Sequence, residues 1–361
     1  QYCSVVPYEI SEKTNFYESP VGTGPFCFQY WKQGVKLVFR KNEHYFENDG
    51  INKLPYLDAI SISFIKDKQS SFLEFLQGNI DFISGIDASY KDELLTSEGK
   101  LRKKYKEKIR LYKKSYLNTE YLGFLMNNND IIKNKKIRQA INYGFDRRKM
   151  IRYLRNNIGY AAEQGFIPRG IPSFSEEVLG YTYDPKKSKK LLVAAGFPNG
   201  EGLPEIVLNT TSSYLDLCEY IQYQLLEIGI SIVINVSPPS THRQMVATSK
   251  FNFFRGSWIA DYPDGENYLA LFYSNNLTPL GPNYTHFKNL DFDLLYERSL
   301  SLVEDSLRYS LYRKMDQIII NEAVIVPLYY DQILRFTQNN IYGLQNNSMN
   351  MLTLKTVKKE Q

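Results

Sequence analysis

The sequence predicts an α/β fold in two lobes, and three observations carry that prediction. A chain of 361 residues is long for one small core and suits about two domains of roughly 100–200 residues each. EIVLNTT, YLDLCEYIQYQLLEIG and ISIVINV follow one another as a β-rich run, a helically spaced run and a second β-rich run, which is a β-α-β unit. Strand and helix patterns alternate over the rest of the chain, with no internal repeat and no low-complexity linker.

The elements follow in order. GPFCFQYW and VKLVFRKN are short β-rich runs separated by KQG and predict a hairpin; AISISFI alternates and predicts a further strand. In SSFLEFLQGNIDFISGI, Phe72, Leu73, Phe75 and Leu76 have helical spacing, Gly78 stops the helix, and a short strand follows. From Ala88 to Lys108 the pattern is helical and charged. Leu101, Tyr105, Ile109 and Tyr112 recur within LRKKYKEKIRLYKK, so its lysines read as the solvated face of a helix passing into a strand. SYLNTEYLGFLMN predicts a strand. KNKKIRQAINYGFDRRKMIRYL predicts one amphipathic helix with Ile137, Ala140, Ile141, Phe145, Met150 and Ile151 inward, and Arg138 and Asp146 paired structurally. After the loop GFIPRGIPSF, Asp184 caps a helix, Pro185 occupies its first turn and Gly196 ends it. FRGSWIADY is the strand after the β-α-β unit, a long helix is expected from Leu294 to Ala323, and VIVPLYY is the last strand.

Composition narrows the function. Apolar residues make up 43% of the chain, enough for a sizeable core, and the net charge of +5 is spread along it, which does not imply nucleic acid. The 29 tyrosines suit a wet recognition surface, although a base-composition bias accounts for them equally well. Cys3, Cys27 and Cys218 form no C-x-x-C pair and His44, His242 and His286 stand alone, so no zinc site is expected from spacing. A Cys3–Cys27 disulfide stays open. No apolar run approaches the roughly 18 residues of a membrane span, and QYCSVVPYEI lacks the regions of a signal peptide. The glycines of VGTGPF serve a tight turn; no helix pattern follows them, as a phosphate loop requires.

Five segments, in order, resemble the peptide/nickel class (family 5) of extracytoplasmic solute-binding proteins of ABC importers. They are PVGTGPFCFQYWKQGVKLVFRKNEHYFE, LEFLQGNIDFI, NKKIRQAINYGFDRRKMI, YDPKKSKKLLVAAGF and SWIADYPDGENYLALFYSNN. The resemblance implies a type II periplasmic-binding-protein-like fold with two large lobes joined by a hinge that closes on ligand. Residues 1–115 and 329–361 would form one lobe and 116–328 the other. Family members are longer, so the chain is expected to lack an N-terminal portion. Gly144 stands where the family more often has alanine, at a cost of about 1 kcal/mol in helix propensity.

RGSWIADYPDGEN, residues 255–267, gathers the chemistry. Asp261, Asp264 and Glu266 lack the spacing of a calcium loop, and no nucleophile motif accompanies them. The resemblance assigns Asp261 as counter-ion to a peptide α-ammonium and Trp258 as an apolar wall. It makes the backbone of Ser257, Trp258 and Ile259 the partner of an extended peptide, and places Arg255 where some members face the peptide carboxylate. Asp264, Glu266 and Asn267 are expected to cap the helix NYLALFY and fix the loop. Tyr121 and Asn127 are expected at the cleft border. The implied protein is a monomeric binding component, not an enzyme. It needs no cofactor or metal, works with a peptide and a membrane permease, and sits in the periplasm or on the cell surface, where a full-length form can be lipid-anchored. The alternatives are a nickel chelate, haem or an oligosaccharide in the same fold, and a peptidase-like hydrolase.

Overall fold

The computed structural model describes residues 7–11, 18–85, 90–127 and 130–360. Cys3, and with it any pairing to Cys27, lies outside them; Cys27 itself is exposed and Cys218 buried. Contacts divide the chain into two compact units. One takes the described residues up to Leu94, Leu101–Lys113 and those from Leu334 onward; the other takes Leu95–Lys100 and Lys114–Ile333.

In the first unit, β1 (Phe26–Lys32) and β2 (Lys36–Lys41) form the expected antiparallel hairpin, and β3 (Ala59–Ser63) pairs with β2. The turn between β1 and β2 puts Gly34 at φ +70°, a conformation that favours glycine. Helix α1 (Lys68–Leu76) starts where the Asp67 side chain accepts from the Ser70 amide, and β4 (Phe82–Ser84) pairs with Arg335–Thr337. The helix expected over 88–108 is reduced, in its described part, to one turn at Lys91–Leu94 and a 3₁₀ turn at Lys103–Tyr105. A turn at Thr96–Gly99 interrupts it, with the Gly99 amide bonded to the Thr96 carbonyl. Ile109 and Tyr112, which mimicked helical spacing, already belong to β5 (Ile109–Phe124).

The second unit is built on a sheet in which β5 lies beside β9 (Phe253–Ile259), followed by β7 (Ile206–Thr210) and β8 (Ile232–Val236), while the two-residue β6 (Tyr160–Ala161) pairs with Tyr329 and Tyr330. β7 and β8 run parallel around the helix Leu215–Leu226, which is the predicted β-α-β unit. The single helix expected over 133–154 is two, α2 (Lys135–Tyr143) and α3 (Arg147–Arg155). Gly144 caps α2, and Asp146 caps α3 by accepting from the Lys149 amide. All six residues expected inward on these helices are buried. A Cβ on Gly144 would lie 2.6 Å from side-chain carbons of Leu225 and Ile228, so glycine there admits close helix packing.

The expected Arg138–Asp146 pair does not form. Arg138 is buried and donates to four main-chain carbonyls, those of Ile132, Lys133, Glu322 and Ala323, at 2.8–2.9 Å. The long helix expected over 294–323 is likewise two helices, Leu290–Leu300 and Asp305–Asn321. At the break, the Ser299 and Ser301 hydroxyls donate to the carbonyls of Tyr296 and Arg298, offering the backbone an alternative to continuing the helix. The last long strand runs from Ile325 to Gln338, well past VIVPLYY.

Asp316, buried on the second of these helices, accepts from the Phe166 and Ile167 amides at 2.6 and 3.2 Å. Gly165 permits the approach: a Cβ there would meet the carboxylate at 1.9 Å. Burial raises the carboxyl from 3.8 to about 7, outweighing the two amide donors. A carboxyl raised on folding stabilises the native state below its unfolded value, and that stability is lost as pH rises through the folded value. Asp316→Asn is therefore expected to flatten the fall in stability between about pH 4 and pH 7, by up to about 4 kcal/mol. Urea denaturation of both proteins across that range checks it.

Candidate functional site

The candidate residues lie on β9 and its exit, and the ladder with β5 decides what each presents. Asn118 to Phe124 pair antiparallel with Ile259 to Phe253. The ladder is bracketed by the Leu125 amide on the Asn252 carbonyl at 2.8 Å and the Ala260 amide on the Leu117 carbonyl at 2.9 Å. Antiparallel bonds alternate residue by residue, so these two bonds fix the phase. Phe254, Gly256 and Trp258 turn their main-chain groups toward β5; Arg255, Ser257 and Ile259 turn theirs to the opposite edge. On that edge β7 meets β9 at the Asn209–Phe254 pairing, and His242 Nε2 donates to the Arg255 carbonyl at 2.8 Å. The main-chain groups of Ser257 and Ile259 have no partner there among the described residues.

Side chains alternate across the strand, which separates residues the sequence groups together. Trp258 shares a face with Thr119; Arg255 shares the other with Glu120 and Leu122. Trp258 is half-buried and its Nε1 donates to Asn267 Oδ1 at 2.8 Å. The Asp261 amide donates to the same oxygen at 3.2 Å, so one buried asparagine holds both the indole and the strand exit. Asp264 accepts from the Glu266 amide at 2.9 Å and pairs with Arg308 at 2.9 Å, while Glu266 accepts from the Tyr262 and Tyr296 hydroxyls. The loop is held from within. Asp261 differs: it is exposed, and its carboxylate has no hydrogen-bond or ion-pair partner among the described residues.

Arg255 has a carboxylate of its own. It is ion-paired with buried Glu120, and its guanidinium lies 3.2 Å from the Tyr214 ring centroid. Burial opposes its charge, but Glu120 and Tyr214 outweigh burial and hold its pKa raised. Asn118 Nδ2 donates to the second Glu120 oxygen at 3.0 Å. Tyr121, expected at a cleft border, is instead a core residue at 2% exposure. Its ring packs edge-on against Phe166 and so closely over Gly256 that a Cβ there would lie 2.6 Å from Cζ. Asn127 is exposed beyond the other end of the ladder, with Nδ2 2.9 Å from His286 Nδ1. Glu120 is not marked by any local pattern in the sequence, and His242 is legible there only as a histidine standing alone. Among the described residues no group of three or more His, Cys, Asp or Glu is placed to hold a metal.

The chain matches the family model described as "Bacterial extracellular solute-binding proteins, family 5 Middle" over residues 2–278. It is 27% identical over 315 residues to heme-binding protein A of Haemophilus influenzae, covering 86% of this chain and 54% of that protein. It is 27% identical over 359 residues to the oligopeptide-binding protein AppA of Bacillus subtilis, covering 94% of this chain and 62% of that protein. The crystal structure of the ABC transporter substrate-binding protein CtaP of Listeria monocytogenes superposes with a TM-score of 0.84 at 23% identity, over 98% of this chain and 71% of that one. This likeness shows a common fold. The chain thus spans only 54% and 62% of the length of these two curated relatives.

Replacing Asn267 with alanine leaves two donors, the Trp258 indole and the Asp261 amide, without their acceptor. The expected loss is roughly 2–3 kcal/mol of stability, with a red shift of Trp258 emission as the ring loosens. Denaturant melts and fluorescence in a Trp31→Phe background check both.

Proposed function

The chain belongs to family 5 of the bacterial extracellular solute-binding proteins and has their type II α/β fold, and on that premise we propose that it captures short peptides for a bacterial ABC importer. The observation that carries the reading is the open β9 edge at Ser257 and Ile259, with the unpartnered Asp261 carboxylate two residues beyond it. An open edge recognises what every peptide has, its main chain, and leaves side chains free to vary. A carboxylate at the end of that edge recognises the α-ammonium through a charge-assisted hydrogen bond. Trp258, steadied by Asn267, supplies an apolar surface beside it. The reading is also favoured by the oligopeptide-binding relative.

The magnitudes are adequate. A micromolar Kd corresponds to about −8 kcal/mol. Several main-chain bonds of about 0.5–1.5 kcal/mol each and one charge-assisted bond of roughly 1.5–3 kcal/mol reach that range together with burial at Trp258, after ordering costs. Arg255 is not assigned to the ligand, because Glu120 already neutralises it. The reading carries with it a membrane permease as partner and a location outside the cytoplasmic membrane. No helix among the described residues is long and apolar enough to cross a membrane.

Calorimetry with trialanine, N-acetyl-trialanine and haemin tests the proposal. Micromolar binding of trialanine is expected, weakened at least about tenfold by acetylation and to a similar degree by Asp261→Asn. The variant is expected to lose the distinction between the two peptides. Equal binding of both peptides by the unsubstituted protein sinks the ammonium contact. Heat with haemin alone moves the ligand to the haem class, and cleavage of the peptide, read by mass spectrometry, would restore the hydrolase alternative.

A further inference from the structure

We propose that His242 closes the ligand-facing edge of β9 and so sets how many peptide residues that edge reads, at about three. The inference rests on the peptide reading above and adds a length limit to it. His242 lies on the helix Pro239–Ala247, which follows β8, and is 5% exposed with its ring 5.5 Å from that of Phe251. A carbonyl only accepts, so the contact with the Arg255 oxygen makes Nε2 the protonated nitrogen and leaves Nδ1 bare. Nδ1 is buried without a hydrogen-bond partner among the described residues. Burial also lowers the pKa of this imidazole, which keeps it in the neutral form the contact uses.

The consequence follows from the ladder. With its amine at Asp261, a ligand strand runs antiparallel to β9, from Ile259 toward Arg255. Outward-facing groups recur every second residue, so the first ligand residue meets Ile259, the third meets Ser257 and the fifth would meet Arg255. The fifth position is closed. The Arg255 carbonyl already holds the His242 proton, and β7 occupies the edge from the Asn209–Phe254 pairing onward. Four main-chain groups remain, the amides and carbonyls of Ser257 and Ile259, and a three-residue ligand uses them all. Residues beyond the third gain no main-chain bond.

A calorimetric series of di-, tri-, tetra- and pentaalanine against the unsubstituted protein, His242→Ala and His242→Gln tests this. In the unsubstituted protein, affinity is expected to rise from two residues to three and then stay within about twofold through five. His242→Ala frees the Arg255 carbonyl for the fifth residue, so pentaalanine should bind about two- to tenfold tighter than trialanine, the worth of one main-chain hydrogen bond. His242→Gln keeps an N–H at that place and should restore the plateau. Affinity that climbs steadily through pentaalanine in the unsubstituted protein overturns the proposal, whatever the variants do. A His242→Ala protein that binds trialanine normally yet shows the same plateau overturns it as well. Should no peptide bind, the peptide reading itself fails and the length limit falls with it; peptide binding without a plateau removes the length limit alone.

Discussion

The alternation of hydrogen bonds between β5 and β9 is the constraint on which the rest of the site depends. Two bonds at the ends of the ladder leave its phase no freedom, since a slip of one residue would turn every side chain to the other face. That phase directs Arg255, Ser257 and Ile259 outward along the edge, and it sends Arg255 and Trp258 to opposite faces of one strand. The ladder in turn rests on close packing. Gly256 carries no side chain because Tyr121 fills the space, and Tyr121 stays in place because Phe166 meets it edge-on.

Charge in this region is sorted by burial. The acids at 120, 264 and 266 and the arginines at 255 and 308 are all ion-paired or hydrogen-bonded inside the protein, since a partly buried charge without an opposite partner costs several kcal/mol. Asp261 is the exception among the clustered acids. Its backbone is tied down through Asn267 while its carboxylate is left in solvent. A rigid main chain beneath an uncommitted charged group is what a recognition site requires, because the ordering cost is met during folding rather than on binding.

Element types were readable where local rules act alone. Asp184, Pro185 and Gly196 bound their helix as expected, the β-α-β unit stands at 206–236, and the hairpin at 26–41 turns where KQG allows it. The reading failed where a local break hides inside a continuing pattern. Leu101, Tyr105, Ile109 and Tyr112 keep a helical interval, but only the 3₁₀ turn Lys103–Tyr105 forms among them before β5 starts at Ile109. The pattern through residues 137–151 is inward throughout because two helices bury adjoining faces in one core; Gly144 and Asp146 mark the break, yet a helix can pass over either.

By itself the sequence determined the fold class, the family resemblance and the stretch that concentrates the candidate chemistry, because motif spacing and hydrophobic period are properties of neighbouring residues. Only the tertiary structure decided which members of that stretch are available. Arg255 is spent on Glu120, 135 residues away in the chain, and its carbonyl on His242, while Tyr121 is taken into the core. A partner brought by folding leaves no trace in local spacing. Whether a polar group is free depends on what the fold places against it, and against the Asp261 carboxylate and the outward main-chain groups of Ser257 and Ile259 the described residues place no partner.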